Sequence, residues 1–215
     1  NGVERPTTNS NGKPIHPTAE GLRNFWKWFG DSKIVDEQGR PLVIYHSTLD
    51  GRLTEFGRTG KFMGHAGVSG ISVTDNPSAA SRYLDRYAEY GWVDGRPNQP
   101  FDKHVLPLYA KANNPLYRNE PIQTRIKMGF PLPNGYVNPL ISDGYDALIR
   151  DDAISRSGPV KHSSAKNAIK GREIIVFSPE QLKSATGNRG TFDATDPDIR
   201  YNLAADWQTA PSRAA

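Results

Sequence analysis

An α+β domain is the fold class this chain predicts, on three observations. Gly and Pro contribute 20 and 17 of the 215 residues, which calls for short elements joined by long turns. Hydrophobic residues make up 36% against 23% charged, enough to fill a core without general disorder. Short β-branched apolar runs recur far apart in the chain, with amphipathic helical stretches among them and no repeat or heptad linking them.

Taken in order, residues 1–17 carry Pro6, Pro14 and Pro17 among Asn, Ser and Thr, and read as a flexible leader. A helix opens at Thr18, with Glu20 in its first turn, an aromatic stripe of Phe25, Trp26, Trp28 and Phe29, and Gly30 as a stop. Two tryptophans in one short helix suit either a binding surface or a core, and core packing is the commoner use. After a turn at Asp36 to Gly39, the run Pro41-Leu-Val-Ile-Tyr-His46 predicts a buried strand ending in histidine. Residues 57–70 hold five glycines, and the strand Gly70-Ile-Ser-Val-Thr74 follows. The turn Asp75-Asn-Pro77 leads into a helix capped by Asn76 or Ser78 and running to about Tyr90. His104 to Ala112 alternates like a strand, and residues 121–129 suggest a short helix. Tyr145 to Arg150 and Glu173 to Phe177 are further strands, Pro179 to Ala185 reads as a last turn or two of helix, and the chain turns polar from Gly187. The expected organisation is a leader over 1–17, one domain over 18–202 and a tail over 203–215.

Composition removes several function classes. With no Cys, disulfide scaffolds, thiolate metal sites and thiol catalysis are gone, and nothing asks for an oxidising compartment. No apolar run reaches the roughly 18 residues of a membrane helix, so no membrane role is expected. No signal peptide is visible, and with Asn1 in first place the true start is expected upstream. A net charge of +4 is too small to argue for nucleic acid by itself. Thr59-Gly60-Lys61 lacks the P-loop spacing, no G-x-G-x-x-G joins a strand to a helix, and Gly67-Val-Ser-Gly70 falls one residue short of G-x-S-x-G. His16, His65, His104 and His162 show no metal-ligand pairing, and Asp193, Asp196 and Asp198 lack the glycine and terminal Glu of a calcium loop. No metal is expected, and the acidic stretch reads as a solvated turn.

Three segments remain: Tyr45-His46-Ser47-Thr48 at a strand end, Gly70 through Tyr83, and Arg172-Glu173-Ile-Ile-Val-Phe177. A carboxylate heading an apolar strand is chemically odd, because the strand runs inward and the charge must face a cleft. Each segment alone has a structural explanation: a satisfied edge histidine, a packed helix tyrosine, a solvated strand start. Together they resemble the ADP-ribosyltransferase fold in its His–Tyr–Glu clade, which includes the poly(ADP-ribose) polymerases and diphtheria-type toxins. Phe25 to Lys33, Phe177 to Ala185 and Asn188 to Asp193 further resemble the transferase domains of phage polyvalent proteins and bacterial toxins. The resemblance spans about residues 18–202. It implies two small, mainly antiparallel sheets forming an NAD cleft, flanked by helices. Two departures stand out: Ser47 replaces the family's glycine after the histidine, and Ser72 replaces an aromatic that stacks on nicotinamide. Stacking is then left to Tyr83, with Tyr87 as the substitute.

By that resemblance NAD is a consumed substrate rather than a recycled cofactor. Glu173 would stabilise positive charge growing on the ribose as the nicotinamide bond breaks. His46 and Thr48 would hold ribose hydroxyls, Tyr83 would stack on nicotinamide, and Ser47, Gly70, Ile71 and Ser72 would complete the NAD-binding set. Arginine-modifying members carry a second acid two residues before the catalytic one; here that position is Gly171, followed by Arg172. The expected acceptor is therefore a hydroxyl or carboxylate side chain of a protein. A host protein comes first, with ubiquitin or a small GTPase as candidates. The implied setting is an injected bacterial effector acting in the host cytoplasm. Rival readings are ADP-ribosylation of nucleic acid and a decayed transferase fold serving as an interaction module, for which Ser47 and Ser72 would be the evidence.

Overall fold

In a computed structural model, residues 4–56, 70–89, 103–117, 139–150 and 171–200 are described. The elements are α1 (Ala19–Phe29), β1 (Ile44–Thr48), β2 (Ile71–Thr74), α2 (Pro77–Glu89), β3 (His104–Ala110), β4 (Pro115–Tyr117), α3 (Pro139–Ser142), β5 (Ala147–Arg150), β6 (Glu173–Val176) and β7 (Leu182–Ser184). The seven strands hydrogen-bond in the order β4-β5-β6-β2-β1-β3-β7, antiparallel throughout except for β4 beside β5.

This is the expected α+β architecture, with one refinement to the two-sheet expectation. β2 pairs with β6 along Ile71 to Thr74, and β1 with β3 along Ile44 to Thr48, whereas β1 meets β2 at the single register pair Tyr45↔Thr74. Two half-sheets, β4-β5-β6-β2 and β1-β3-β7, are thus joined by a one-pair seam into one hydrogen-bonded order.

Strand alternation sorts the side chains. Ile71 and Val73, Ile174 and Val176, and Ala147 and Ile149 enter the main core with Ile44, Leu108 and Leu182. Ser72, Glu173, Ile175, Leu148 and Arg150 alternate to the other face. There Ile175 and Leu148 are covered by Leu140, Tyr145 and Phe177, so the middles of β5 and β6 are buried on both sides and read as continuous apolar runs.

Helix α1 follows its sequence signals. Thr18 Oγ1 accepts the Gly21 N–H at 3.1 Å, and Gly30, at φ +58°, ends the helix with its N–H on Trp26 O. Phe25, Trp28 and Phe29 are buried with Tyr109 and Phe192 in an aromatic cluster, so the tryptophan-bearing helix serves the core. Trp26, at its margin, donates to Pro6 O and carries Arg5 over its ring at 4.9 Å.

Several expectations need correction. Residues 4–17 do not form a free leader. Ile15 is 4% exposed within the aromatic cluster, buried Asn9 donates to Tyr109 Oη at 2.8 Å, and Arg5 pairs with Asp31 at 2.9 Å. Proline- and asparagine-rich composition predicts too little apolar surface to order a segment, but here one isoleucine and one turn-forming asparagine find partners supplied by distant chain. Pro179 to Ala185 is helical only at its start: a 3-10 turn covers Pro179–Gln181, and Leu182–Ser184 forms β7 on the free edge of β3. Strand β4 and the short α3 have no counterpart in the sequence reading, because three- and four-residue elements carry almost no periodicity. The helix suggested over 121–129 and the glycine-rich stretch 57–69 lie outside the described residues.

β7 also explains the polar end of the domain. Lys183 is 0% exposed, and its Nζ donates to Asp196 O at 2.5 Å and Asp198 O at 3.1 Å. Burial pushes its pKa down, opposed by Asp196, Asp193, Asp198 and Glu180. The acidic stretch read as a solvated turn is therefore a loop anchored from inside by a lysine. Lys183→Met should destabilise the domain by about 3 kcal/mol, since two shielded carbonyls lose a charged donor; urea unfolding measures the loss.

Candidate active site

The seam between the half-sheets gathers the candidate residues. His46 lies on β1, one residue past the seam pair. Its Nδ1 lies 2.9 Å from Ser72 O; a carbonyl only accepts, so Nδ1 carries the hydrogen and Nε2 of the neutral ring is left as an acceptor. Burial, partly opposed by that hydrogen bond, lowers the His46 pKa below its ordinary value. Phe56 backs the ring edge-on at 4.9 Å. The strap carrying Phe56 is itself fixed by Ile199 N–H on Thr54 O at 2.7 Å.

Ser72 reaches both ways. Its carbonyl holds His46, and its Oγ donates to Glu173 Oε1 at 2.9 Å. Glu173 heads β6 in register with Thr74 on one side and Arg150 on the other. Arg150 Nη1 donates to Glu173 Oε2 at 3.0 Å, the two side chains being 22% and 19% exposed. Both carboxylate oxygens are thus engaged at the rim of the sheet, and the charge is fixed in place. A carboxylate held this way, close to a neutral imidazole acceptor, can stabilise positive charge developing on a bound sugar. Sequence reasoning treated Ser72 as a lost aromatic and missed Arg150 altogether. The alternation Ser72-Val-Thr74 was legible as a polar face, but only strand pairing reveals what it faces.

The remaining candidates divide. Tyr83 is half-buried on α2, which packs on β1, β2 and β3; the Tyr87 side chain lies outside the described residues. Ser47 is a regular β1 residue opposite Val105 with no positive φ, so serine is tolerated there without backbone strain. Thr48 Oγ1 accepts the Asp50 N–H at 3.0 Å, and its hydroxyl hydrogen can still donate. Ile71 is buried in the main core and offers a ligand its backbone alone. Gly70 has a packing reason: a Cβ there would stand 2.5 Å from Ile175 Cγ2 and 2.6 Å from Val176 O. Among the described residues no His, Asp and Glu side chains cluster as metal ligands.

Fold and site together are those of a protein built like an ADP-ribosyltransferase. A family model described as "ADP-Ribosyltransferase in polyvalent proteins" matches residues 36–192, and the chain belongs to that family. Comparison with curated proteins and with solved structures finds no match.

The histidine yields a prediction. A buried histidine with a lowered folded pKa contributes no penalty above its unfolded value of 6.5. Stability falls as pH drops from there through the folded value. Urea titrations at pH 7.5 and 5.5 should show this loss in the parent protein, and a smaller one in His46→Gln, which has no proton to bind.

Proposed function

We propose that this domain is a mono-ADP-ribosyltransferase that cleaves NAD and transfers ADP-ribose to a protein side chain other than arginine, a hydroxyl or a carboxylate. The observation that carries the reading is the continuous link from His46 through Ser72 to Glu173. In it Glu173 is the charge that stabilises the ribosyl cation, and it holds the 2′-hydroxyl. His46 accepts a hydroxyl of the adenosine-side ribose through Nε2, and Thr48 donates nearby. Tyr83 stacks on nicotinamide and fixes the twist that weakens its bond. The missing acid at Gly171, with Arg172 beside it, disfavours a guanidinium acceptor, which stays charged at physiological pH. The resemblance to toxin domains motivates a host protein as the target of an injected effector.

Ser72 bears on the rival of a decayed module. In place of a lost stacking ring the chain has a serine hydrogen-bonded to the carboxylate, which supports the enzyme reading by holding Glu173 in one orientation.

Two measurements test the reading. Glu173→Ala should lower nicotinamide release about 100- to 1000-fold while sparing NAD binding; near-parental turnover in the folded variant removes the mechanism. Site mapping of lysate labelled from NAD should place ADP-ribose on hydroxyl or carboxylate side chains. Label concentrated on arginine, or lost on nuclease treatment, overturns the acceptor assignment.

A further inference from the structure

One carboxylate beside the cleft has no part in the reading above. Asp75 follows β2 directly; its Oδ1 accepts the Arg172 N–H at 2.8 Å, and its own N–H meets Arg172 O at 3.3 Å. This clamp ties the end of β2 to the residue before Glu173, and it accounts for one carboxylate oxygen. Among the described residues, Oδ2 has no hydrogen-bond partner.

The position of that carboxylate is informative. Thr74 and Glu173 are register partners and share a face. Gly171, two residues before Glu173, would send a side chain to the same face if the extended alternation continues. A Cβ at Gly171 would come within 3.0 Å of Thr74 Oγ1, 3.1 Å of Asn76 Cβ and 3.2 Å of Asp75 Oδ1. A side chain at position 171 would therefore press on Thr74, Asn76 and Asp75, and the carboxylate of Asp75 borders the place where an acid at 171 would begin.

We propose that Asp75 is the acceptor-side carboxylate of this site, receiving a neutral hydroxyl of the acceptor on Oδ2. The inference rests on the transferase reading and narrows its acceptor class to a hydroxyl. Glu173 accepts from Ser72 and Arg150 and holds the 2′-hydroxyl in the transferase reading, so it serves as the fixed charge. Asp75 is the neighbouring carboxylate that can take the proton of the attacking group. A carboxylate acceptor has no such proton and is repelled by Asp75. For an arginine acceptor, the cation position beside Glu173 is taken by Arg150. In the transfer, the C1′–N bond breaks with its electron pair leaving on nicotinamide, which departs neutral. The hydroxyl oxygen forms the C1′–O bond, and its proton passes to Asp75 Oδ2 and then to water.

Asp75→Asn is the discriminating variant, because its amide oxygen still accepts the Arg172 N–H while the charge is gone. Transfer from radiolabelled NAD to lysate proteins should fall about 100-fold. NAD binding, read by titration calorimetry, should hold within about twofold, and Asp75→Glu should restore part of the transfer. Unchanged transfer overturns the assignment and leaves the transferase reading standing. Loss of NAD binding together with transfer marks Asp75 as structural and overturns it too. Label mapped to carboxylates or arginine in the parent protein overturns the hydroxyl class. A folded parent protein that releases no nicotinamide takes down the transferase reading and this inference with it.

Discussion

Strand β2 is four residues long, and the candidate site depends on how differently its two neighbours treat it. β6 is bonded to it along its whole length, while β1 is in register with it at the single pair Tyr45↔Thr74. A fully zipped sheet would bury the backbone of His46 and its neighbours between strands and leave no opening. An unjoined pair of sheets would let His46 and Glu173 drift apart. The one-pair seam opens the edge while the Ser72 carbonyl and hydroxyl, at the opening itself, hold the two side chains in relation. Positioning of this kind matters because small displacements of a preorganised group cost large factors in rate.

The electrostatics follow from the same layout. Glu173 lies where an apolar strand begins, partly shielded on a sheet face that Ile175 and Leu148 make apolar farther in. A lone charge there would be costly; Arg150 and Ser72 satisfy both oxygens and keep the carboxylate in one orientation. His46 is managed in the opposite way. It is buried and kept neutral, with its tautomer set by a carbonyl. Ser72 of β2 reaches both groups, its hydroxyl donating to the Glu173 carboxylate and its carbonyl accepting from the His46 ring.

Around the site, stability comes from apolar clusters on both faces of the sheet, of which two are large. The aliphatic core carries β2, β5 and β6, and the aromatic cluster of Phe25, Trp28, Phe29, Tyr109 and Phe192 carries β1 and β3 against α1. Residues 4–17 extend the second body through Ile15 and the Asn9–Tyr109 hydrogen bond. Lys183 then draws the C-terminal loop onto β7, and the pairing of Glu55 with Asp198 links that loop to the strap bearing Phe56 behind His46. Segments distant in sequence therefore support one imidazole.

The sequence by itself determined the α+β class, the capped aromatic helix, and the strands bearing His46 and Glu173. Those features are written in local signals: a cap, a glycine stop, β-branched runs and a charge heading an apolar strand. It also carried the family, through motifs that need no pairing to be read. Only the tertiary structure decided what Ser72 does, since its partners His46 and Glu173 lie on other strands. Arg150 looked like the ordinary polar end of a strand until register set it against Glu173. The proline-rich start looked unable to fold, and the Leu182–Ser184 strand looked helical. Both were settled by partners about 75 to 100 residues away, Tyr109 for Asn9 and the edge of β3 for β7. Local propensity reports what a segment prefers alone; hydrogen-bond partners across a sheet depend on register, which no single segment contains.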